Sequence, residues 1–214
     1  MRDTCTKAPT FKCRVSLDGI DGSRPLTFEN DAAGTTMKFD YSFSLRSGSV
    51  KGWAVPPFRY GGKGSIQLAG SQPGYSNCRY YTDLFFTYPG KLVLAGKFEN
   101  TIALRTLAGY GKQTVEIAEG AECRIEEGGL YENQIMARTD LDFTGTGTLM
   151  QKPRSNTPYD MRIGVDPGCN LNIGCALSNG WSTMGFVLTG GGLMKVTGRN
   201  LISGPASVTD GSVF

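Results

Sequence analysis

The sequence contains no histidine among its 214 residues. This absence excludes serine and cysteine nucleophiles that rely on a histidine base, and it excludes zinc sites of the HExxH type. The glycine motifs GxGxxG and GxxxxGK[ST] are missing too, and Gly190-Gly191-Gly192 lacks the strand-to-helix setting of a phosphate-binding loop. These absences predict a protein without histidine-dependent catalysis and without nucleotide binding.

Long apolar runs and clusters of one charge sign are also lacking. No stretch approaches the ~18 apolar residues that a membrane-spanning helix requires. The 22 basic and 19 acidic residues are dispersed and give a net charge of +3, whereas nucleic-acid binding requires clustered Lys and Arg. We therefore expect no membrane span, no nucleic-acid partner, no metal and no cofactor.

Six cysteines are present, and none of them forms a CxxC pair: Cys5, Cys13, Cys78, Cys123, Cys169 and Cys175. An even count without close pairs favours disulfides over structural zinc. Because disulfides persist in oxidising compartments, we expect a secreted or cell-surface protein. Six buried thiols in a cytosolic protein are the alternative. The short spacings favour pairing Cys5 with Cys13 and Cys169 with Cys175, which leaves Cys78 for Cys123, but pairing across a sandwich fits the same positions.

The 30 glycines and 10 prolines are spread along the chain, as many short strands joined by tight turns require. Apolar and polar residues alternate from Phe11 to Leu17 and, most clearly, from Met37 to Leu45. No segment shows helical periodicity over three turns. The pattern predicts an all-β protein, an antiparallel β-sandwich or jelly-roll-like fold stabilised by disulfides, with little helix. We expect one domain, 1–214, with a minor boundary near 153–158 as the alternative.

Two groups of aromatic and polar residues are candidate ligand contacts. The first lies in a segment rich in Pro and Gly, and the second surrounds Cys78. Their members are Trp53, Phe58, Arg59 and Tyr60 in the first group, and Tyr75, Tyr80, Tyr81 and Asp83 in the second. Aromatic faces combined with hydrogen-bonding groups bind glycans and protein surfaces. The alternative is that these aromatic residues pack beneath their own loops or form cross-strand pairs in the core.

Catalysis without histidine would require a pair of carboxylates, as in glycoside hydrolases. The candidates are Glu116, Glu119, Glu122, Glu126, Glu127, Asp140 and Asp142. Carboxylates at alternating positions more simply face solvent on a strand edge. We therefore predict no enzymatic activity, and a glycosidase is the least supported hypothesis.

The first functional hypothesis is a non-enzymatic surface adhesion and recognition module, such as a carbohydrate-binding fimbrial tip adhesin. Its partner would be a glycan or a host or partner surface protein. The alternative is a structural assembly subunit: a viral capsid, spike or tail protein, or a pilus subunit. In that case the segment from Ser203 to Phe214 would donate an edge strand to a neighbouring copy.

Overall fold

The computed structural model describes residues 10–11, 15–18, 26–39, 43–46, 58–61, 63–68, 77–79, 84–86, 91–95, 97–101, 104–106, 111–126, 133–152, 160–178 and 185–209. The strands β2, β3, β5, β6, β8, β9 and β11 are described by their backbone pairing. The described secondary structure consists of short β-strands, most of them three to five residues long.

In the first half of the chain the strands are β1 (Thr10–Phe11), β2 (Val15–Asp18), β3 (Leu26–Glu29), β4 (Thr36–Phe39), β5 (Phe43–Arg46), β6 (Phe58–Gly61), β7 (Ser65–Leu68), β8 (Asn77–Arg79), β9 (Leu84–Phe86), β10 (Lys91–Leu94), β11 (Lys97–Thr101) and β12 (Leu104–Thr106). The second half contains β13 (Gln113–Ile117), β14 (Glu122–Glu126), β15 (Ile135–Ala137), β16 (Leu141–Thr144), β17 (Thr148–Lys152), β18 (Met161–Val165), β19 (Asn170–Ile173), β20 (Ala176–Ser178), β21 (Phe186–Thr189), β22 (Leu193–Val196), β23 (Asn200–Leu201) and β24 (Ala206–Val208).

Every strand pairs in parallel with the strand three places away along the chain. Sheet 1 consists of β1, β4, β7, β10, β13, β16, β19 and β22, and sheet 3 of β3, β6, β9, β12, β15, β18, β21 and β24. Sheet 2 consists of β8, β11, β14, β17, β20 and β23, and β5, which pairs with β2, contacts β8. The chain therefore winds as a three-sided β-solenoid, and each turn adds one strand to each side.

The predicted antiparallel sandwich or jelly roll is wrong, because the pairings are parallel. Alternation shows which residues face inward, but it does not show which strands are neighbours. The predicted long strand from Met37 to Leu45 is also two strands, β4 in sheet 1 and β5 beside sheet 2. The sheets run across the suggested boundary at 153–158, since β17 pairs with β20. The number of domains stays a prediction.

The core is made of inward-facing residues stacked in rows from turn to turn. In sheet 1 one row joins Ile66, Leu92, Val115, Phe143 and Ile173 in register, and all five are buried. Rows of this kind bury apolar surface continuously along the solenoid axis, which contributes about 25 cal/mol per Å². The stacked core therefore takes the place of the face-to-face packing of a sandwich.

Tight corners connect sheet 1 to sheet 2. Gly145 has a φ of 91°, and a Cβ atom there would lie 2.2 Å from the carbonyl oxygen of Ile117 in the preceding turn. The neighbouring Gly147 donates its N–H to the same oxygen at 2.9 Å. The chain can turn this closely against the preceding turn because glycine has no side chain.

The predicted disulfides are wrong for the described cysteines. Cys169 and Cys175 are free thiols and Cys123 is also a thiol. Cys169 and Cys175 lie before and after β19, whose four extended residues span about 13 Å and hold them apart. Phe98 lies between Cys78 and Cys123 in the register of sheet 2, so these two are about 9.6 Å apart, too far for a disulfide. Cys5 and Cys13 lie outside the described residues.

The fimbrial-adhesin interpretation depended on an antiparallel sandwich with disulfides. A parallel solenoid with thiols at Cys123, Cys169 and Cys175 removes both supports. The adhesion, fimbrial and disulfide parts of the interpretation are therefore withdrawn. Secretion loses its argument from the cysteines, and the location of the protein stays a prediction. In the described part of the chain, no helix has the length and apolar character needed to cross a membrane.

Candidate functional site

The predicted ligand-contact residues are only partly covered by the structure. Trp53, Tyr75, Tyr80, Tyr81 and Asp83 lie outside the described residues. The grouping of these residues as a ligand site therefore stays a prediction.

Three of the predicted contacts belong to a strand rather than to a loop. Phe58, Arg59 and Tyr60 form most of β6, which lies between β3 and β9 in sheet 3. The prolines and glycines around them predicted a loop, and this was wrong for 58–61.

The candidate carboxylates are largely paired with cations or amides. Glu116 forms an ion pair with Lys91 on the outer face of sheet 1. Glu122 forms an ion pair with Arg124, with Oε2 and Nη2 2.6 Å apart. Glu119 is exposed in the turn between β13 and β14. Glu126 is described by its backbone in β14, and Glu127 lies outside the described residues.

The two remaining carboxylates belong to a set of polar side chains that we call the polar ladder: Lys112, Asp140, Asp142, Asn170 and Asn172. Asp142 Oδ1 accepts a hydrogen bond of 2.8 Å from Asn172 Nδ2, and Asp142 Oδ2 lies 2.5 Å from Lys112 Nζ. Asp140 Oδ1 accepts hydrogen bonds from Asn170. The hydrogen bond and coulombic attraction of Asp142 raise the pKa of Lys112. These contacts hold neighbouring turns together.

Cys169 is a half-buried thiol next to the polar ladder. Burial raises its pKa, and the negative charges of Asp140 and Asp166 raise it further. A nucleophilic cysteine requires the opposite shift, because the thiolate is the reactive form. The surroundings of Cys169 therefore disfavour covalent catalysis.

The end of the solenoid provides a different kind of surface. We call residues 193–209, which contain β22, β23 and β24, the terminal turn. Each of these strands is the last member of its sheet. One edge of each strand is hydrogen-bonded to the preceding turn, and no strand of the described part of the chain pairs with the other edge.

Exposed apolar side chains coincide with these open edges. In the described residues, the large hydrophobic side chains that are exposed are Leu193 at 41%, Leu201 at 40% and Val208 at 46%. Each lies on a different strand of the terminal turn, so each side of the solenoid contributes one. Leu193 and Leu201 lie in register with the outward-facing Asn170 and Ser178, whereas Val208 lies in register with the buried Leu188. An exposed apolar side chain beside an unpaired strand edge favours contact with another chain.

Val208 continues an inward row of sheet 3 but is itself partly exposed. It stacks in register on Leu188, which stacks on Ile163, and both of these residues are fully buried. The same inward row is therefore covered in the preceding turns and nearly half exposed at its last member. Residues 206–208, within the segment from Ser203 to Phe214, pair with β21 of the same chain. Donation of this segment to a neighbouring copy stays a prediction.

Two hydrogen bonds show which backbone groups of β24 point to its open edge. Thr209 N donates to Leu188 O at 2.9 Å, and Phe186 N donates to Pro205 O at 3.1 Å. Since alternate residues of a strand direct their peptide groups to opposite edges, Ala206 and Val208 direct theirs to the open edge. The terminal turn therefore presents unpaired hydrogen-bonding groups beside apolar side chains.

No group of three or more His, Cys, Asp or Glu side chains within the described residues is arranged to hold a metal ion. Comparison of the chain with protein-family models, curated proteins and solved structures gives no match.

Proposed function

We propose that this chain is a non-enzymatic structural assembly subunit, and that the terminal turn is the surface on which it assembles. The observation that carries the proposal is Val208 on β24, which continues the buried row of Ile163 and Leu188 and is itself 46% exposed beside an unpaired strand edge. Among the described residues, the other exposed large hydrophobic side chains are Leu193 and Leu201, which lie in register with Asn170 and Ser178 on the outer faces of β22 and β23.

The physics of repeat proteins supports an assembly role. A solenoid needs a polar capping repeat to stay monomeric, because each repeat otherwise leaves its core and strand edges open to the next. In the described part of the chain, β24 presents the apolar, partly exposed Val208 beside its unpaired edge. Covering the edge of β24 with a parallel strand would form backbone hydrogen bonds, each contributing about 1 kcal/mol, and would bury more of Val208.

The state of the polar side chains favours a role without catalysis. Asp140 and Asp142 are bound by asparagine amides and by Lys112, and Glu116 and Glu122 are bound by Lys91 and Arg124. A general acid or base must be available to exchange a proton with a substrate. These carboxylates instead stabilise contacts within and between the turns.

The test compares the wild-type chain with Val208→Pro by light scattering after size exclusion, over concentrations from micromolar to millimolar. Proline at this position removes an N–H that faces the open edge, and it leaves the hydrogen bonds to β21 in place. We expect the wild type to associate with increasing concentration and Val208→Pro to stay monomeric. Val208→Ile keeps both the N–H and the apolar side chain, so it is the matched control and should associate like the wild type.

Two results would contradict the proposal. One is a wild-type chain that stays monomeric throughout the concentration series. The other is association of Val208→Pro as strong as that of the wild type, which would place the contact elsewhere. Circular dichroism of both variants shows whether the solenoid is retained.

A further inference from the structure

Arg162 carries a guanidinium group that has no partner among the described residues. It is the second residue of β18 and lies half-buried between the buried Met161 and Ile163, so its side chain points to the outer face of sheet 3. Its Nε atom is buried and forms no hydrogen bond. Arg162 also takes part in none of the ion pairs that the described residues form. A buried donor without an acceptor destabilises a fold, and a charged donor does so more strongly.

The carboxylate two residues earlier in the chain does not pair with Arg162. Alternate residues of an extended chain share a face, so Asp160 lies on the same side of the chain as Arg162. Its Oδ1 instead accepts a hydrogen bond of 2.7 Å from the backbone N of Gly185 in the next turn. Asp160 therefore stabilises the stacking of two turns, and the positive charge of Arg162 remains available to an anion from solution.

The residues beside Arg162 in the neighbouring turns offer no free acceptor. In the preceding turn, Gln134 is only 2% exposed, and its Oε1 already accepts a hydrogen bond of 2.5 Å from the backbone N of Arg162. The other end of this amide, Nε2, forms no hydrogen bond with the described residues. In the next turn, Val187 lies in register with Arg162 and is apolar. Two unsatisfied donor groups, the Arg162 guanidinium and Gln134 Nε2, therefore lie in neighbouring turns, whose strands are about 4.8 Å apart.

We propose that Arg162 and Gln134 Nε2 form a binding site for an oxyanion: the carboxylate, phosphate or sulfate group of a ligand. A planar guanidinium donates two parallel hydrogen bonds to such a group, which an ammonium cannot do. The amide of Gln134 adds a neutral donor. The oxyanion supplies the acceptors and the negative charge that the described neighbours of Arg162 do not supply. The site lies on the outer face of sheet 3 rather than on the open edge of β24, so it does not depend on the proposed assembly.

The test measures thermal unfolding of the full-length chain in phosphate, sulfate, acetate and chloride at equal ionic strength and pH. The oxyanions should raise the melting temperature of the wild type more than chloride does, because they bind the folded site and not the unfolded chain. Arg162→Met removes the guanidinium and should lose this additional rise. Arg138→Met is the matched control, since it removes an exposed arginine and the same unit of charge, and it should respond like the wild type. General salt effects on apolar burial act on all three chains alike.

Isothermal titration calorimetry with phosphate measures the affinity directly. Arg162→Lys keeps the charge and loses the two parallel hydrogen bonds, so its dissociation constant should be at least about tenfold higher than that of the wild type. This variant also keeps the test decisive if Arg162→Met does not fold. In chloride alone, Arg162→Met should be as stable as the wild type or more stable, because it removes a partly buried charge that has no partner.

Three results would overturn the site. One is an equal rise in melting temperature for the wild type and Arg162→Met in every oxyanion. Another is phosphate binding to Arg162→Lys as tight as to the wild type, which would show that the guanidinium is not the recognising group. The third is a lower melting temperature of Arg162→Met than of the wild type in chloride, which would show that the guanidinium stabilises the fold itself. If the site stands, the oxyanion with the largest additional rise indicates the ligand class: a carboxylate for acetate, and a tetrahedral group for phosphate or sulfate.

Discussion

One carboxylate oxygen of Asp140 binds Asn170 twice. Asp140 Oδ1 accepts a hydrogen bond of 2.8 Å from the backbone N of Asn170 and one of 3.1 Å from its side-chain Nδ2. Asp140 lies in the corner before β16, and Asn170 is the first residue of β19 in the next turn. The pair therefore fixes how one corner of the solenoid stacks on the next.

Removing this acceptor should destabilise the fold measurably. Asp140→Ala leaves the part-buried N–H of Asn170 without its acceptor, and we expect the free energy of unfolding to fall by about 1–3 kcal/mol. Asp140→Asn keeps an oxygen at this position and should lose less. Urea unfolding measures both. Glu119→Ala, at an exposed turn position, is the control and should change the stability by less than about 0.5 kcal/mol. Equal stability of Asp140→Ala and Glu119→Ala would refute a structural role for the pair.

Two glycines with positive φ should differ in their tolerance of alanine. Gly120 has a φ of 70° with open space around the site of a Cβ atom, so Gly120→Ala should cost about 1 kcal/mol from backbone strain alone. Gly145 has a φ of 91°, and its added Cβ would meet the Ile117 carbonyl at 2.2 Å. We expect Gly145→Ala to cost about 3 kcal/mol or more. Thermal unfolding of the two variants compares them directly, and similar melting temperatures would contradict the tight corner.

The all-β character of the chain and several strand positions could be predicted from the sequence, because inward and outward residues alternate in either kind of sheet. Parallel pairing could not. The strands of sheet 1 begin at Gln113, Leu141, Asn170 and Leu193, and a repeat of roughly 25 residues is the signal of a solenoid. Unequal spacing and dissimilar side chains obscure that repeat, and the glycine-rich turns fit an antiparallel fold equally well.

The candidate site could likewise be predicted only in part from the sequence. The segment that contains Val208 was selected as an assembly element from its position and its polar character. What makes Val208 exposed is its place at the end of the row that contains Leu188 and Ile163, which depends on parallel register. The disulfide prediction was also wrong, because an even number of cysteines carries no information about the distances between them. Pairing Cys5 with Cys13 and Cys169 with Cys175 left Cys78 for Cys123. In the register of sheet 2, however, Phe98 lies between Cys78 and Cys123.

The thiols should react in an order set by their burial. Cys169 is half-buried and Cys175 is buried, and burial raises the pKa of both. With iodoacetamide at pH 8, followed by peptide mass mapping, we expect Cys169 to be alkylated more slowly than a free cysteine peptide. Cys175 should be protected until urea unfolds the chain. A cross-linked peptide joining Cys169 to Cys175 under non-reducing conditions would contradict the separation of these residues by β19.

Burial of Cys175 should also make stability depend on pH in the alkaline range. Burial raises the pKa of this thiol from its ordinary value of 9.0 to about 11, against a smaller opposing effect of backbone hydrogen bonds. Below pH 9 the thiol is neutral in both the folded and the unfolded chain, so its contribution is fully present. Between pH 9 and 11 the unfolded chain ionises first, and the free energy of unfolding falls with rising pH, by roughly 3 kcal/mol in total.

Cys175→Ala removes this titration while Cys169 and Lys112, which have raised pKa values of their own, remain. Urea unfolding from pH 8 to pH 11 should therefore show a shallower decline for Cys175→Ala than for the wild type. Parallel stability-against-pH curves for the two chains would show that burial does not raise the pKa of Cys175.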